Sequence, residues 1–316
     1  MTRLSIIVPV FNEQDSLREL LRQIEQSVGT QDYEVYFIDD GSSDGSWKII
    51  DELAQQSSHV HGIRFRRNFG KAAALSAGFA AATGDVFVTM DADLQDDPGE
   101  ISNLLAKIDE GLDCVSGWKQ NRLDPWHKVY PSRVFNWMIT KLTGLHLHDH
   151  NCGLKAYRRE IFDEVQIYGE MHRFIPVLAA ARGFRVGEIP VHHRPRTTGK
   201  SKYGFERFTK GFLDLLTVYF LTGFRNRPQH LLGSVGLLLF VAGFGCLAVL
   251  AVAWCLTRIV SSWEPLHLHE RAIFYFAILG MLLGVQLLSI GFIAELLIAS
   301  HHSESSYSIS ATTKAN

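Results

Sequence analysis

Asp91 and Asp93 stand two residues apart, with Gln95 two further on, directly after the apolar run DVFVTM at 85–90. Paired carboxylates and an amide are hard oxygen ligands of the kind that hold Mg²⁺ or Mn²⁺ and, through the ion, a diphosphate. An isolated Asp-x-Asp is a common surface pattern, so its setting matters. Two other β-like runs end in polar or acidic residues, Pro9-Val10-Phe11-Asn12-Glu13 and Asp39-Asp40-Gly41-Ser42. Three acidic strand ends side by side make metal binding the preferred reading. Basic residues follow in two groups: Lys119, Arg122, Lys128 and Arg133, then Arg194, Arg196, Lys200 and Lys202. Charge clusters are ordinarily solvated faces, but the second group leads into an aromatic-rich segment where a phosphate at a membrane surface would meet it.

Other chemistries fail on the residues. Thr198-Gly199-Lys200-Ser201 imitates the end of a phosphate-binding loop, but Arg194 stands where that loop needs glycine. No G-x-G-x-x-G follows the first strand, and no G-x-S-x-G supplies an acyl-transfer nucleophile. His146, His148 and His150 alternate around Asp149, and His192 and His193 are adjacent. Without a cysteine pair or a fourth ligand these read as polar loop and surface, not zinc sites.

The elements that must position these residues alternate. LSIIVPV (4–10), YEVYFID (33–39), VHGIRF (60–65) and DVFVTM (85–90) read as strands covered on both faces. Between them DSLRELLRQIEQSV (15–28), with Asp15 as N-cap, SDGSWKIIDELAQQ (43–56) and KAAALSAGFAAAT (71–83) read as helices. The alternation predicts an α/β fold with a mostly parallel sheet and helices on both faces, whose ligands bind beyond the carboxyl ends of the strands.

The chain has 316 residues, 47% hydrophobic and 20% charged, and a net charge of −2, which excludes a disordered chain and a global basic field for nucleic acid. The apolar excess is concentrated late. Residues 231–257 carry no charge, and 272–300 are broken only by Gln286 and Glu295. Each stretch exceeds the ~20 residues that cross a hydrocarbon core, so two transmembrane helices are expected. A pair of buried core helices is the alternative. Lys200, Lys202, Arg207, Lys210, Arg225 and Arg227 precede the first span, so the positive-inside rule places the N-terminal domain in the cytoplasm. Phe205, Phe208, Phe212, Leu216 and Tyr219 recur at helical spacing in residues 203–230. That suits a helix in the membrane interface, an amphipathic helix packed on the domain, or both. Residues 301–316 read as a disordered tail. Cys114, Cys152, Cys246 and Cys255 form no CxxC, which fits a reducing compartment, and the N-terminus lacks a signal-peptide pattern.

The combined motifs are VPVFNE (8–13), IDDGSSDGS (38–46), RNFGKAAALSAGF (67–79), DADLQDDP (91–98), DHNCGLKAYRR (149–159), HRFIPVLA (172–179) and RTTGKSKYGF (196–205). Together they resemble a family-2 glycosyltransferase of GT-A fold, and more closely the polyprenyl-phosphate glycosyltransferases. The resemblance extends to about residue 300. It implies a GT-A catalytic domain over 1–202, a membrane-interface segment over 203–230 and two transmembrane helices within 231–300. Pro9, Phe11 and Glu13 would hold the base and ribose of a nucleotide-sugar, expected to be a UDP-sugar; Phe11 replaces the family's usual Tyr and loses its hydroxyl. Asp39 or Asp40 would bind base or ribose, and Gly70 and Lys71 would close the pocket. Asp91, Asp93 and Gln95 would hold Mg²⁺ or Mn²⁺, with Asp91 also on the nucleotide side. Arg133 would contact a phosphate of donor or acceptor, and Arg196 and Lys202 the lipid phosphate. Asp149 falls near the reacting centre, giving Asp93, Asp149 and Arg133 as the catalytic set. Glu170-Met171-His172-Arg173-Phe174 replaces the Q-x-x-R-W of processive synthases, which disfavours polymer synthesis.

The resulting expectation is an inverting enzyme of the bacterial inner membrane that moves one sugar to a polyprenyl phosphate, undecaprenyl phosphate first, with no nucleic-acid partner. Self-association through the spans stays open. The rivals are transfer to another lipid or glycan acceptor, and a GT-A-like scaffold that only binds a membrane partner.

Overall fold

The computed structural model describes residues 3–120, 126–165, 167, 171–194, 214–215, 217–218, 228–260 and 263–300. The apolar runs form the centre of one seven-stranded sheet, in the order β3-β2-β1-β4-β6-β5-β7. The strands are β1 (Leu4–Val10), β2 (Tyr33–Asp39), β3 (Val60–Arg64), β4 (Val86–Thr89), β5 (Cys114–Trp118), β6 (Lys155–Arg158) and β7 (Val186–Pro190). All neighbouring pairs are parallel except those made by β6, which runs against both β4 and β5.

Strand side chains alternate between two cores. Leu4, Ile6, Val8 and Val10 face one cluster with α1 (Leu17–Val28), α2 (Ser46–Gln56) and α4 (Ile101–Asp109). Ile7, Ile38 and Phe87 face the other with α3 (Lys71–Ala81), α6 (Glu160–Glu164) and α7 (Ile175–Ala181). α1 shows what holds these helices. It buries Leu17, Leu20, Leu21, Ile24 and Val28, and a fully buried large side chain contributes about 1.5–3 kcal/mol, well above intrinsic helix propensity. Its N-cap corrects the sequence reading. Ser16, not Asp15, takes that position, and it makes no side-chain cap bond. The Ser16 hydroxyl instead donates to the Glu13 carbonyl at 2.9 Å, because a tight turn closes the chain onto the end of β1.

α5 (Trp126–Thr143) lies between β5 and β6 in the chain. Ile139 from it packs with Met171, Phe174, Val177, Leu215 and Val218. Leu215 and Val218 belong to the amphipathic segment and are fully buried, so this part of it packs on the catalytic domain. The apolar positions Phe205, Phe208, Phe212, Leu216 and Tyr219 lie outside the described residues, as does the tail from 301.

The chain divides into two units between Thr222 and Gly223. The second contains α8 (Pro228–Ile259) and α9 (Ala272–Ser300). Their apolar windows have mean hydropathy of 2.7 and 2.2, with only 11% and 17% of the window buried. Core helices would be largely covered; these two are long and apolar enough to cross a membrane. They meet backbone to backbone. A Cβ on Gly284 would lie 2.6 Å from the Gly236 carbonyl oxygen, and one on Gly243 2.6 Å from that of Ala277.

Candidate active site

The carboxyl ends of β1, β2 and β4 share one sheet edge, since Val10 pairs with Asp39 and Ile7 with Thr89. Half-buried Pro9, Phe11 and Glu13 stand at the end of β1. The loop there is locked to the loop after β2: the Asn12 amide donates to Ser42 Oγ at 2.9 Å, the Ser43 amide to Asn12 Oδ1 at 2.8 Å and the Glu13 amide to Ser46 Oγ at 2.9 Å. This net holds Asn12 at φ 54°, a left-handed conformation that a non-glycine residue keeps only when its surroundings over-determine it.

Both carboxylates of the Asp39-Asp40 pair have internal partners. Asp39 Oδ1 accepts from the Ser42 amide at 2.9 Å, and its Oδ2 lies 3.4 Å from Arg64 Nε. Asp40 accepts from the Phe69 amide at 2.7 Å and the Gly70 amide at 2.9 Å. Burial pushes the Asp40 carboxyl above its usual range, against those two hydrogen bonds. Asp40 therefore ties the 69–70 segment to the sheet edge and fixes the start of α3. Lys71, the first residue of that helix, forms an ion pair with Asp91.

The Asp91–Asp96 loop is tightly built. The Gln95 amide donates to Asp93 Oδ1 at 3.2 Å, and Leu94 is left-handed at φ 60°. Asp96, which the sequence reading did not single out, accepts from the Asp91 amide at 3.3 Å and is paired with Lys119 at 2.9 Å. Burial opposes the Lys119 charge, but the carboxylates of Asp96 and, further off, Asp91 help to hold the ammonium above its ordinary range. Lys119 is thus not part of a solvated basic face. Arg194 is also engaged, with Asp97 at 2.7 Å and Gln23 at 2.7 Å.

Asp149 reaches this edge from the other side, on the loop entering β6, and it is 1% exposed. Its Oδ1 accepts from the Asn151 amide at 3.0 Å. Side chains of three adjacent strands brace the loop's carbonyls. Thr89 of β4 donates to the Gly153 oxygen at 2.9 Å, Ser116 of β5 to that of Asp149 at 3.4 Å and Lys155 of β6 to that of His150 at 2.9 Å. Burial pushes the Lys155 ammonium down, and the Asp149 carboxylate opposes the shift. None of these braces was visible in the sequence, since they are ordinary strand residues whose role depends on register. His150 also departs from the polar-loop reading and is fully buried, whereas His148 is exposed, paired with Glu188 and stacked on Trp118 at 4.1 Å. Arg133 is exposed on α5, and Arg196 and Lys202 lie outside the described residues.

The acidic loop fits a divalent cation. A Cβ on Gly153 would sit 2.7 Å from Asp91 Oδ2 and 3.0 Å from Asp96 Oδ2, so glycine there leaves the carboxylates their space. Among the described residues no three His, Cys, Asp or Glu side chains form a closed metal cage. Two carboxylates with the remaining positions left to water and phosphate is the arrangement Mg²⁺-type ions favour.

The model of Glycosyl transferase family 2 matches residues 5–166, just over half of the chain. The chain belongs to this family. As a family-2 glycosyltransferase it is a sugar transferase that uses nucleotide-sugar donors, and the matched span runs through every described candidate residue. Solved structures of glucosyl-3-phosphoglycerate synthase from Mycobacterium tuberculosis share the fold. The complex with phosphoglyceric acid superposes with a TM-score of 0.54 at 17% identity, over 70% of this chain and 80% of that one. The complex with Mn²⁺, UDP and phosphoglyceric acid gives 0.55 at 16%, over 70% and 78%. The complex with Mn²⁺, UDP-glucose and phosphoglyceric acid gives 0.54 at 16%, over 70% and 79%. The mostly parallel sheet of this family-2 chain is therefore a GT-A fold.

Proposed function

We propose that this glycosyltransferase is anchored in a bacterial inner membrane, with its catalytic domain in the cytoplasm. It moves a single sugar from a UDP-sugar to a polyprenyl phosphate, undecaprenyl phosphate first, and inverts the anomeric centre. The observation that carries this reading is the pair of long, largely uncovered apolar helices that follows a family-2 catalytic domain. A membrane-resident acceptor gives such an anchor a purpose.

Pro9, Phe11, Glu13 and Asp39 form the nucleotide side, while Asp40 orders Gly70 and Lys71. Asp91, Asp93 and Gln95 hold Mg²⁺ or Mn²⁺, which supplies electrostatic stabilisation of the departing diphosphate. Arg133, Arg196 and Lys202 receive the lipid phosphate. Asp149 positions groups at the reacting centre. The acceptor is a phosphate monoester with a second pKa near ~6, so it is already largely anionic at neutral pH and needs no protein base.

The test is a donor panel with the purified full chain, undecaprenyl phosphate and Mn²⁺ or Mg²⁺, read by mass spectrometry of the lipid. A single-sugar lipid phosphate is expected. Transfer only to a non-prenyl acceptor would overturn the acceptor assignment, and absence of any transfer or donor hydrolysis the enzymatic one.

A further inference from the structure

Asparagine is a weak helix former and is mostly found exposed. Asn136 nevertheless stands inside the 18-residue α5 and is only 8% exposed. Both ends of its amide engage the loop that enters β6. Nδ2 donates to the His148 carbonyl at 2.8 Å, and Oδ1 accepts from Asn151 Nδ2 at 3.4 Å. These two contacts bracket Asp149. His148 supplies the peptide group that precedes it, and Asn151 supplies the backbone amide that its Oδ1 accepts. The His148 amide is held from the other side, by Glu188 of β7 at 2.8 Å. On α5 itself, exposed Arg133 stands one turn before Asn136. Ile139 stands one turn after it and packs with Met171, Phe174 and Val177, which seats the helix independently of Asn136.

We propose that Asn136 is a positioning residue for Asp149. It sets the loop from α5, so the helix that bears Arg133 also fixes where Asp149 stands. This rests on the reading of Asp149 at the reacting centre. The braces from Thr89, Ser116 and Lys155 all come from the sheet, and they hold the carbonyls of Gly153, Asp149 and His150. Asn136 adds the brace from the helix, at the His148–Asp149 peptide and at Asn151. With it in place, Arg133 and Asp149 keep one spacing. A reacting group displaced by about 1 Å costs on the order of 10²-fold in rate. Loss of the brace therefore acts on turnover, while Arg133 stays on a seated helix and substrate binding is spared.

The experiment compares the full chain in detergent micelles with Asn136→Leu and Asn136→Asp. Leucine keeps the branching without a polar group, and aspartate keeps the shape but turns an acceptor on the His148 carbonyl. Amide hydrogen exchange over residues 147–153 is read first and needs no substrate. It should be at least about ten-fold faster in both variants, with β1 and β4 unchanged. Turnover is read second, with undecaprenyl phosphate and the fastest UDP-sugar of the donor panel. kcat should fall about ten- to hundred-fold, while KM for either substrate moves less than about three-fold. In an Asp149→Asn background the same substitutions should cost less than about three-fold, because residues that act as a unit are not additive. If Asn136→Leu does not fold, Asn136→Asp carries the test. Unchanged loop exchange overturns the inference, and so does an equal fall in kcat with and without Asp149. A rise in KM for the lipid with kcat unchanged also overturns it, since that marks damage to α5 and Arg133. Full kcat in Asp149→Asn alone removes the reading of Asp149 on which the inference rests. Absence of transfer by the wild type overturns the acceptor assignment instead, and the exchange measurement then decides the inference by itself.

Discussion

Asp149 and His150 are consecutive and both buried, and each makes its own prediction. Neither ring nitrogen of His150 has a hydrogen-bond partner among the described residues. Burial, and then the Lys155 charge, push its pKa from 6.5 down to about 4, against the pull of Asp149. A depressed base stabilises the fold fully above its unfolded pKa. As pH falls from 6.5 towards 4, the unfolded chain binds a proton that the folded chain refuses, and the contribution is lost. The loss reaches about 3 kcal/mol in total, with about 2 kcal/mol gone by about pH 5. His150→Phe should therefore flatten the fall in melting temperature between about pH 7 and about pH 5; an unchanged slope would show that another group titrates. Asp149 makes a kinetic prediction. If the acceptor phosphate sets the acidic limb of the rate profile, near pH ~6, Asp149→Asn should lower the rate and leave that limb in place. Disappearance of the limb would identify Asp149 as a base. At the metal loop, Asp93→Asn should abolish transfer while the melting temperature holds, and full activity of that variant would sink the assignment.

The loop into β6 works because three strands brace it, so its failures should appear in catalysis as well as stability. Thr89→Val keeps the shape but removes the donor to the Gly153 carbonyl. A loss of about 1–3 kcal/mol is expected, together with a fall in kcat larger than any rise in KM, and the reverse split would place the brace on substrate binding. Lys119→Met would leave Asp96 buried without its cation and should cost about 3–5 kcal/mol, read as a lowered melting temperature. These elements also mark how far the sequence could be read. β1, β2 and β4 are apolar on both faces, and each ends in polar or acidic residues, so the parallel half of the sheet and its acidic edge were legible. β6 was not, because Lys-Ala-Tyr-Arg is only four residues long and opens on a charge that belongs in solvent by residue type. Lys119 misled for the same reason: its burial is stable only because Asp96 waits for it from another loop. Asp15 and Ser16 offer equivalent cap chemistry, and tertiary geometry gave the position to Ser16.

The chain combines a catalytic unit with a pair of helices long and apolar enough to cross a membrane, and each half makes its own prediction. A chain ending after Thr222 should lose membrane sedimentation yet keep the melting transition of the catalytic unit; sedimentation unchanged from the full chain would remove the anchor assignment. Gly284→Leu should force α8 and α9 apart where they now touch through backbone, and should weaken the pair measurably in detergent unfolding. The reversed direction of β6 has a further consequence. β5 ends at the acidic edge and β6 begins there, as Lys155 faces both Thr89 and Ser116. Everything from Lys119 to Leu154 therefore leaves the sheet and returns to it at the same rim. Such an excursion is a cassette: its length can drift between Lys119 and Asp149 while the strand order beneath it stays intact. Transplanting that stretch between relatives should then carry over the share of acceptor preference that rests on Arg133 and leave the share of Arg196 and Lys202 behind.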